Sequence, residues 1–218
     1  MGRMLKAIFF DFDGLMVDTE GVSFAAWEEL YAKEGLVLTA AEYCGCVGST
    51  YEGFDPRAAL RERAGLETSL EALGEAWQER QEERVRALRP NPGVVELLDL
   101  AERRGLKKLI GSSSEPEWLE RLLPQLGLEG RFDAVITRCD GLRAKPWPDI
   151  YERCLAVAGV EPEEAVVLED SRHGAMAALK LGIPVVVVPN AVTVHSTFPE
   201  GVVRMKTLHE VADWVARR

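Results

Sequence analysis

Leu5-Lys6-Ala7-Ile8-Phe9-Phe10-Asp11-Phe12-Asp13-Gly14-Leu15-Met16-Val17-Asp18-Thr19-Glu20 is the stretch from which the rest of the chain can be read. Its first six residues are apolar apart from Lys6 and rich in Ile and Phe, and they are too few for a helix, so they predict a buried strand. The strand ends abruptly in Asp-Phe-Asp-Gly, where Gly14 lets the backbone turn tightly. Asp18 or Thr19 then caps a helix running through Trp27 and Leu30.

Further along the chain, short apolar runs recur at Lys107 to Gly111, Asp133 to Thr137, Ala165 to Leu168 and Pro184 to Val188. Helical patterns fill the gaps at Val94 to Arg104, Glu117 to Leu126, Pro148 to Ala158 and Gly174 to Leu181, several of them stopped by a glycine. Alternation of strand and helix predicts an α/β fold, a doubly wound parallel sheet of Rossmann-like form. The uninterrupted valines 185–188 suit a strand covered on both faces. Between the first strand and the second the rhythm fails, and residues 18–89 read as helix after helix, with Ser69 capping one through Leu73, Trp77 and Val85. We therefore expect a core of residues 1–17 and 90–218 interrupted by a helical cap, the chain returning to the core through Arg89-Pro90-Asn91-Pro92-Gly93.

Composition narrows the partners. The chain has 218 residues and a formal net charge of -10, a field that repels nucleic acid and anionic membranes. It repels a phosphorylated substrate as well, so a phosphate site here needs a cation or a locally basic wall. No signal peptide or membrane span is evident. Cys44, Cys46, Cys139 and Cys154 lack the spacing of a zinc site, which predicts reduced thiols and a cytoplasmic protein. A monomer or weak homodimer is expected.

In open α/β sheets ligands bind beyond the carboxyl ends of the strands. Asp11 and Asp13 follow the first strand, Ser112 the second, and Glu169-Asp170 the fourth, while Lys145 lies in the loop after the third. Carboxylates gathered at one sheet end repel one another unless a hard cation neutralises them, and Mg2+ is the natural candidate. Such a set suits phosphoryl transfer. Asp11 can attack phosphorus, Asp13 can exchange acid and base roles, and Ser112 with Lys145 can hold phosphate oxygens.

These residues resemble a known family. Residues 11–20 are similar to the first motif of haloacid dehalogenase superfamily phosphatases in their β-phosphoglucomutase-like branch. Ser112-Ser113-Ser114 resembles the second motif, Lys145-Pro146-Trp147-Pro148-Asp149 the third, and residues 168–174 the fourth. The resemblance implies a haloacid dehalogenase-like core with a mobile cap, and a phosphatase acting on small phosphorylated metabolites. It further implies catalysis by Asp11, Asp13, Ser112 and Lys145, phosphate binding by Asp11, Gly14, Ser112, Ser113 and Lys145, and a metal at Asp11, Asp13, Glu169 and Asp170. Ser23 and Thr50 stand where the sugar phosphomutases of that branch carry a histidine and a phosphate-gripping arginine. The departures favour a hydrolase over a mutase, whose second phosphate would then need Arg57 and Arg61; a third alternative is a non-catalytic protein that binds phosphorylated metabolites. His173 reads as structural, and Trp147 lines the entrance or packs on the surface.

Overall fold

The computed structural model describes residues 4–47, 53–139 and 141–218; Thr50 and Tyr51 lie outside them. A parallel sheet of six strands forms the core, in the order β3-β2-β1-β4-β5-β6. Its strands are β1 (Ala7–Phe10), β2 (Lys107–Gly111), β3 (Ala134–Ile136), β4 (Ala165–Glu169), β5 (Val185–Val187) and β6 (Val203–Arg204). The order reverses between β1 and β4, which pair in register from Ala7 with Ala165 to Phe10 with Leu168. That reversal opens a crevice beyond the strand ends, and Asp11 and Asp170 both emerge beside it.

The period of two along the strands sorts side chains into two apolar layers. Ile8, Phe10, Ile110, Val166 and Leu168 face one side and pack on α5 (Val94–Arg103), α6 (Pro116–Gln125) and α9 (Leu208–Ala216). Ala7, Phe9, Leu109, Val167 and Val185 face the other and pack on α7 (Asp149–Ala158) and α8 (Arg172–Leu179). Both β6 and α9 are additions to the sequence-based expectation. The strand has only two residues, both exposed, and so carries no apolar run to detect.

Between β1 and α5 lie the helices α1 (Thr19–Lys33), α2 (Ala40–Tyr43), α3 (Pro56–Ala64) and α4 (Leu70–Val85). Asp18 accepts from the Gly21 N–H at 3.0 Å to start α1, and the Ser69 hydroxyl accepts from the Ala72 N–H at 3.1 Å to start α4. They build a cap with a hydrophobic centre of its own around Trp27, Leu30, Tyr31, Leu60 and Leu73, and Trp27 stacks on Trp77 with centroids 5.7 Å apart. The two connections to the core run side by side. Val17 forms a bridge with Pro90, and Asn91 fastens both: its N–H donates to Met16 O and its side-chain amide to Leu15 O, each at 2.8 Å.

Among the described residues no helix is long and apolar enough to cross a membrane.

Candidate active site

Asp11, Glu169 and Asp170 are buried at the switch in strand order, and one oxygen from each lies within 4.8 Å of the others. Lys145 reaches them from the loop after β3. Its ammonium donates to Asp11 Oδ1 at 2.5 Å and Glu169 Oε1 at 2.6 Å, and it sits 4.7 Å from the Tyr151 ring centroid. Burial would depress the lysine pKa, but Asp11 and Glu169 outweigh it and hold the ammonium above its usual range.

One cation among three buried carboxylates leaves a surplus of negative charge. Burial and the Glu169 charge push Asp11 up to about 8. Burial together with Asp11 and Glu169 also raises Asp170 well above the ordinary carboxylate range. Asp170 receives a hydrogen bond from the Asn190 amide, Nδ2 to Oδ2 at 2.7 Å, which helps orient it without neutralising it. A hard divalent cation fits this donor set, since it would remove the repulsion that burial amplifies.

The two carboxylates of β4's end have different partners. Glu169 accepts from Lys145 and from the Tyr151 hydroxyl at 2.5 Å on one oxygen, and from the Ser171 hydroxyl at 3.0 Å on the other. Such a carboxylate holds the lysine in place. Gly174 makes room for it, because a Cβ there would collide with the Glu169 carboxylate. Gly14 does the same for Asp170 and Asn190; at φ +82° it also occupies the left-handed region that favours glycine.

Asp13 lies outside this cluster of side chains. Its carboxylate accepts from the Ser114 hydroxyl at 2.6 Å and the Trp118 indole N–H at 2.8 Å, with the Ser112 hydroxyl 3.5 Å away. Any metal contact it makes would therefore run through its backbone carbonyl. Ser113 uses its hydroxyl to accept from the backbone N–H of Lys145 at 3.1 Å, so it orients the lysine loop, whose Lys145–Pro146 peptide is cis.

All of this opens on one cavity of about 920 Å³ between core and cap. Asp11, Asp13, Ser112, Ser113, Lys145 and Asp170 line its floor, while Glu20, Ser23, Trp77 and Gln81 line the cap side. Burial and the charges of Asp13 and Asp11 push Glu20 up to about 8. Ser23 accepts from the Gln81 side chain at 2.5 Å. Trp147 lines the mouth, half exposed, under Arg143 at 4.1 Å and Lys180 at 5.4 Å. His173 contacts Val47 O at 3.1 Å, joining α8 to the cap. Arg57 is gripped by Asp55 on both carboxylate oxygens, and neither it nor Arg61 lines the cavity.

Sequence reasoning missed Asn190, Tyr151 and Trp118, and gave no separate role to Ser114 and Glu20, which it met only as members of the second and first motifs. Asn190 stands just past β5, where the search for polar residues beyond strand ends would have found it. Tyr151 and Trp118 reach the site from within α7 and α6, and only the rotation of a packed helix decides that.

Comparison with known proteins agrees with this layout. The model of the haloacid dehalogenase-like hydrolases matches residues 5–182. The chain is 35% identical over 208 residues to YhcW of Bacillus subtilis (strain 168), covering 95% of this chain and 94% of that protein. It is 33% identical over 190 residues to the phosphorylated carbohydrates phosphatase of Thermotoga maritima, covering 82% of each. Among solved structures, CbbY from Rhodobacter sphaeroides in complex with phosphate superimposes with a TM-score of 0.72 at 26% identity, covering 95% of this chain and 96% of that one.

Proposed function

The chain belongs to the haloacid dehalogenase-like hydrolases and is a phosphoric monoester hydrolase of the sugar-phosphate type; from that premise we propose that it uses Mg2+ and a phosphoaspartate at Asp11. The observation that carries the proposal is the cluster of three buried carboxylates around one lysine, facing a cavity large enough for a small phosphorylated metabolite.

In this reading Asp11 attacks phosphorus through the oxygen that Lys145 leaves unbound, and the phosphate oxygens meet the Lys145 ammonium and the Ser112 hydroxyl. Ser113 holds the lysine loop from behind. Asp13 gives its proton to the leaving oxygen, then takes one from the water that hydrolyses the acyl phosphate. Asp11, Asp170 and the Asp13 carbonyl would hold the metal, which supplies positive charge against the phosphate and the carboxylates. Glu169 fixes Lys145 and Ser171 beside it.

Hydrolysis is favoured over phosphomutase chemistry because a mutase must grip a second phosphate. Arg57 is bound by Asp55 away from the cavity, and Ser23 is bound by Gln81. The substrates are small soluble esters of the cytoplasm. Phosphate release should be measured across a panel of sugar phosphates, with and without Mg2+, for wild type and Asp11→Asn. Mg2+-dependent release that falls on the order of 10³-fold or more in the variant is expected. Formation of glucose 6-phosphate from β-glucose 1-phosphate with little free phosphate would overturn the hydrolase assignment.

A further inference from the structure

We propose that Trp118 is a positioning residue for Asp13, and that the cap reaches it through Arg121 and Glu82; the proposal rests on the acid/base role given to Asp13 above. Ser114 and Trp118 straddle the start of α6, and each binds a different oxygen of the Asp13 carboxylate. Ser114 Oγ meets Oδ2 at 2.6 Å and Trp118 Nε1 meets Oδ1 at 2.8 Å. Two donors on two oxygens fix both torsions of a side chain that would otherwise swing freely at the edge of a cavity.

The two donors differ in a way that matters chemically. An indole N–H can only donate, whereas a hydroxyl can donate or accept. Oδ1 thus keeps a lone pair engaged with Trp118 throughout, and the proton that Asp13 carries belongs on Oδ2, where Ser114 can turn its hydroxyl to accept. Oδ2 is also the oxygen that faces Ser112, and hence the reacting phosphate. In the first half-reaction the proton leaves Oδ2 for the ester oxygen as the P–O bond breaks. In the second, Oδ2 receives a proton from water as its oxygen attacks phosphorus and Asp11 is released.

Trp118 itself is held by the cap. The Arg121 guanidinium lies 4.8 Å above its ring and is bound by Glu82 of α4 at 2.6 and 2.8 Å on the two carboxylate oxygens. Nearby, Gln125 of α6 donates to Val85 O at 2.8 Å, so the same face of α6 meets the end of α4 twice. When the cap sits as it does here, Glu82 presses Arg121 onto the indole and the indole holds Asp13. Displacement of the cap would release both.

The test uses p-nitrophenyl, phenyl and benzyl phosphate, which share a shape but have increasingly basic leaving oxygens, so their need for a proton donor rises along the series. Trp118→Phe keeps the ring and removes the N–H: kcat should fall about tenfold on benzyl phosphate and less than about twofold on p-nitrophenyl phosphate, with KM little changed. Equal losses on all three esters would mark Trp118 as packing alone and overturn the proposal. Glu82→Gln, a change at the surface that leaves the indole intact, should give the same graded pattern at about threefold, scaled from the same acid-catalysis contribution. An ungraded or absent effect there would overturn the link to the cap. Asp11→Asn is run alongside: if it abolishes turnover of all three esters while the Trp118→Phe losses are ungraded, the phosphoaspartate reading survives and only the inference fails.

Discussion

The two sides of the cavity are built on opposite principles. On the core side Asp11, Lys145, Glu169 and Asp170 are buried, with Lys145 joined to Asp11 and Glu169 by charged hydrogen bonds and Asp170 bound by the Asn190 amide. On the cap side the interior is aromatic and aliphatic, and the polar groups, Glu20, Ser23 and Gln81, sit at its rim. Buried charge is costly unless every member has its partner, so the core side tolerates almost no substitution. A core of Trp, Tyr and Leu tolerates many, provided volume is kept. The charged floor is therefore the side on which a single substitution should cost most, and the apolar cap the side on which it should cost least.

Breaking the charged side should have the larger effect. Lys145→Met leaves Asp11 and Glu169 buried without their cation, and urea unfolding without Mg2+ should show a loss of about 3–5 kcal/mol alongside loss of turnover. A smaller loss, with Mg2+ restoring most of it, would mean that a metal alone can balance the cluster. Leu60→Ala opens a hole in the cap's centre and should cost about 2–4 kcal/mol in the same experiment, while the stabilisation produced by Mg2+ stays as in wild type. A diminished Mg2+ effect there would show that the two sides are one cooperative unit. Ser69→Ala removes the cap of α4 and should cost about 1 kcal/mol, with no change in metal response.

The same contrast governs what could be read in advance. The strand Lys107 to Gly111 matches its predicted limits because an apolar run between polar residues leaves little choice. Ser69 and Asp18 cap the helices as expected, since capping is local chemistry. The gathering of Asp11, Ser112, Lys145 and Asp170 was legible because the parallel fold carries all strand ends to one edge. What the sequence did not disclose depends on helix rotation. Nothing in the spacing of residues 111–121 says that Trp118, six places from Ser112, turns back towards Asp13. Helix α8 begins at Arg172, where the expectation began it at Gly174, because Ser171 caps it with a hydroxyl that also serves Glu169. One hydroxyl here caps a helix and braces Glu169 together, and local rules saw neither part.

The paired connections at Val17 and Pro90, stitched by Asn91, give the cap a mechanical character. A body hung from one strand can wander over a sphere; a body hung from two adjacent strands is confined to swinging about the line that joins them. Its rim groups stay close to the floor, so on the reading proposed above a substrate held by its phosphate below would meet Glu20 and Gln81 at an effective concentration set by the tether, on the order of millimolar for short links. On that reading weak contacts to the sugar would suffice for recognition, and weak contacts are also quick to release. A lid so hinged can be selective without becoming slow.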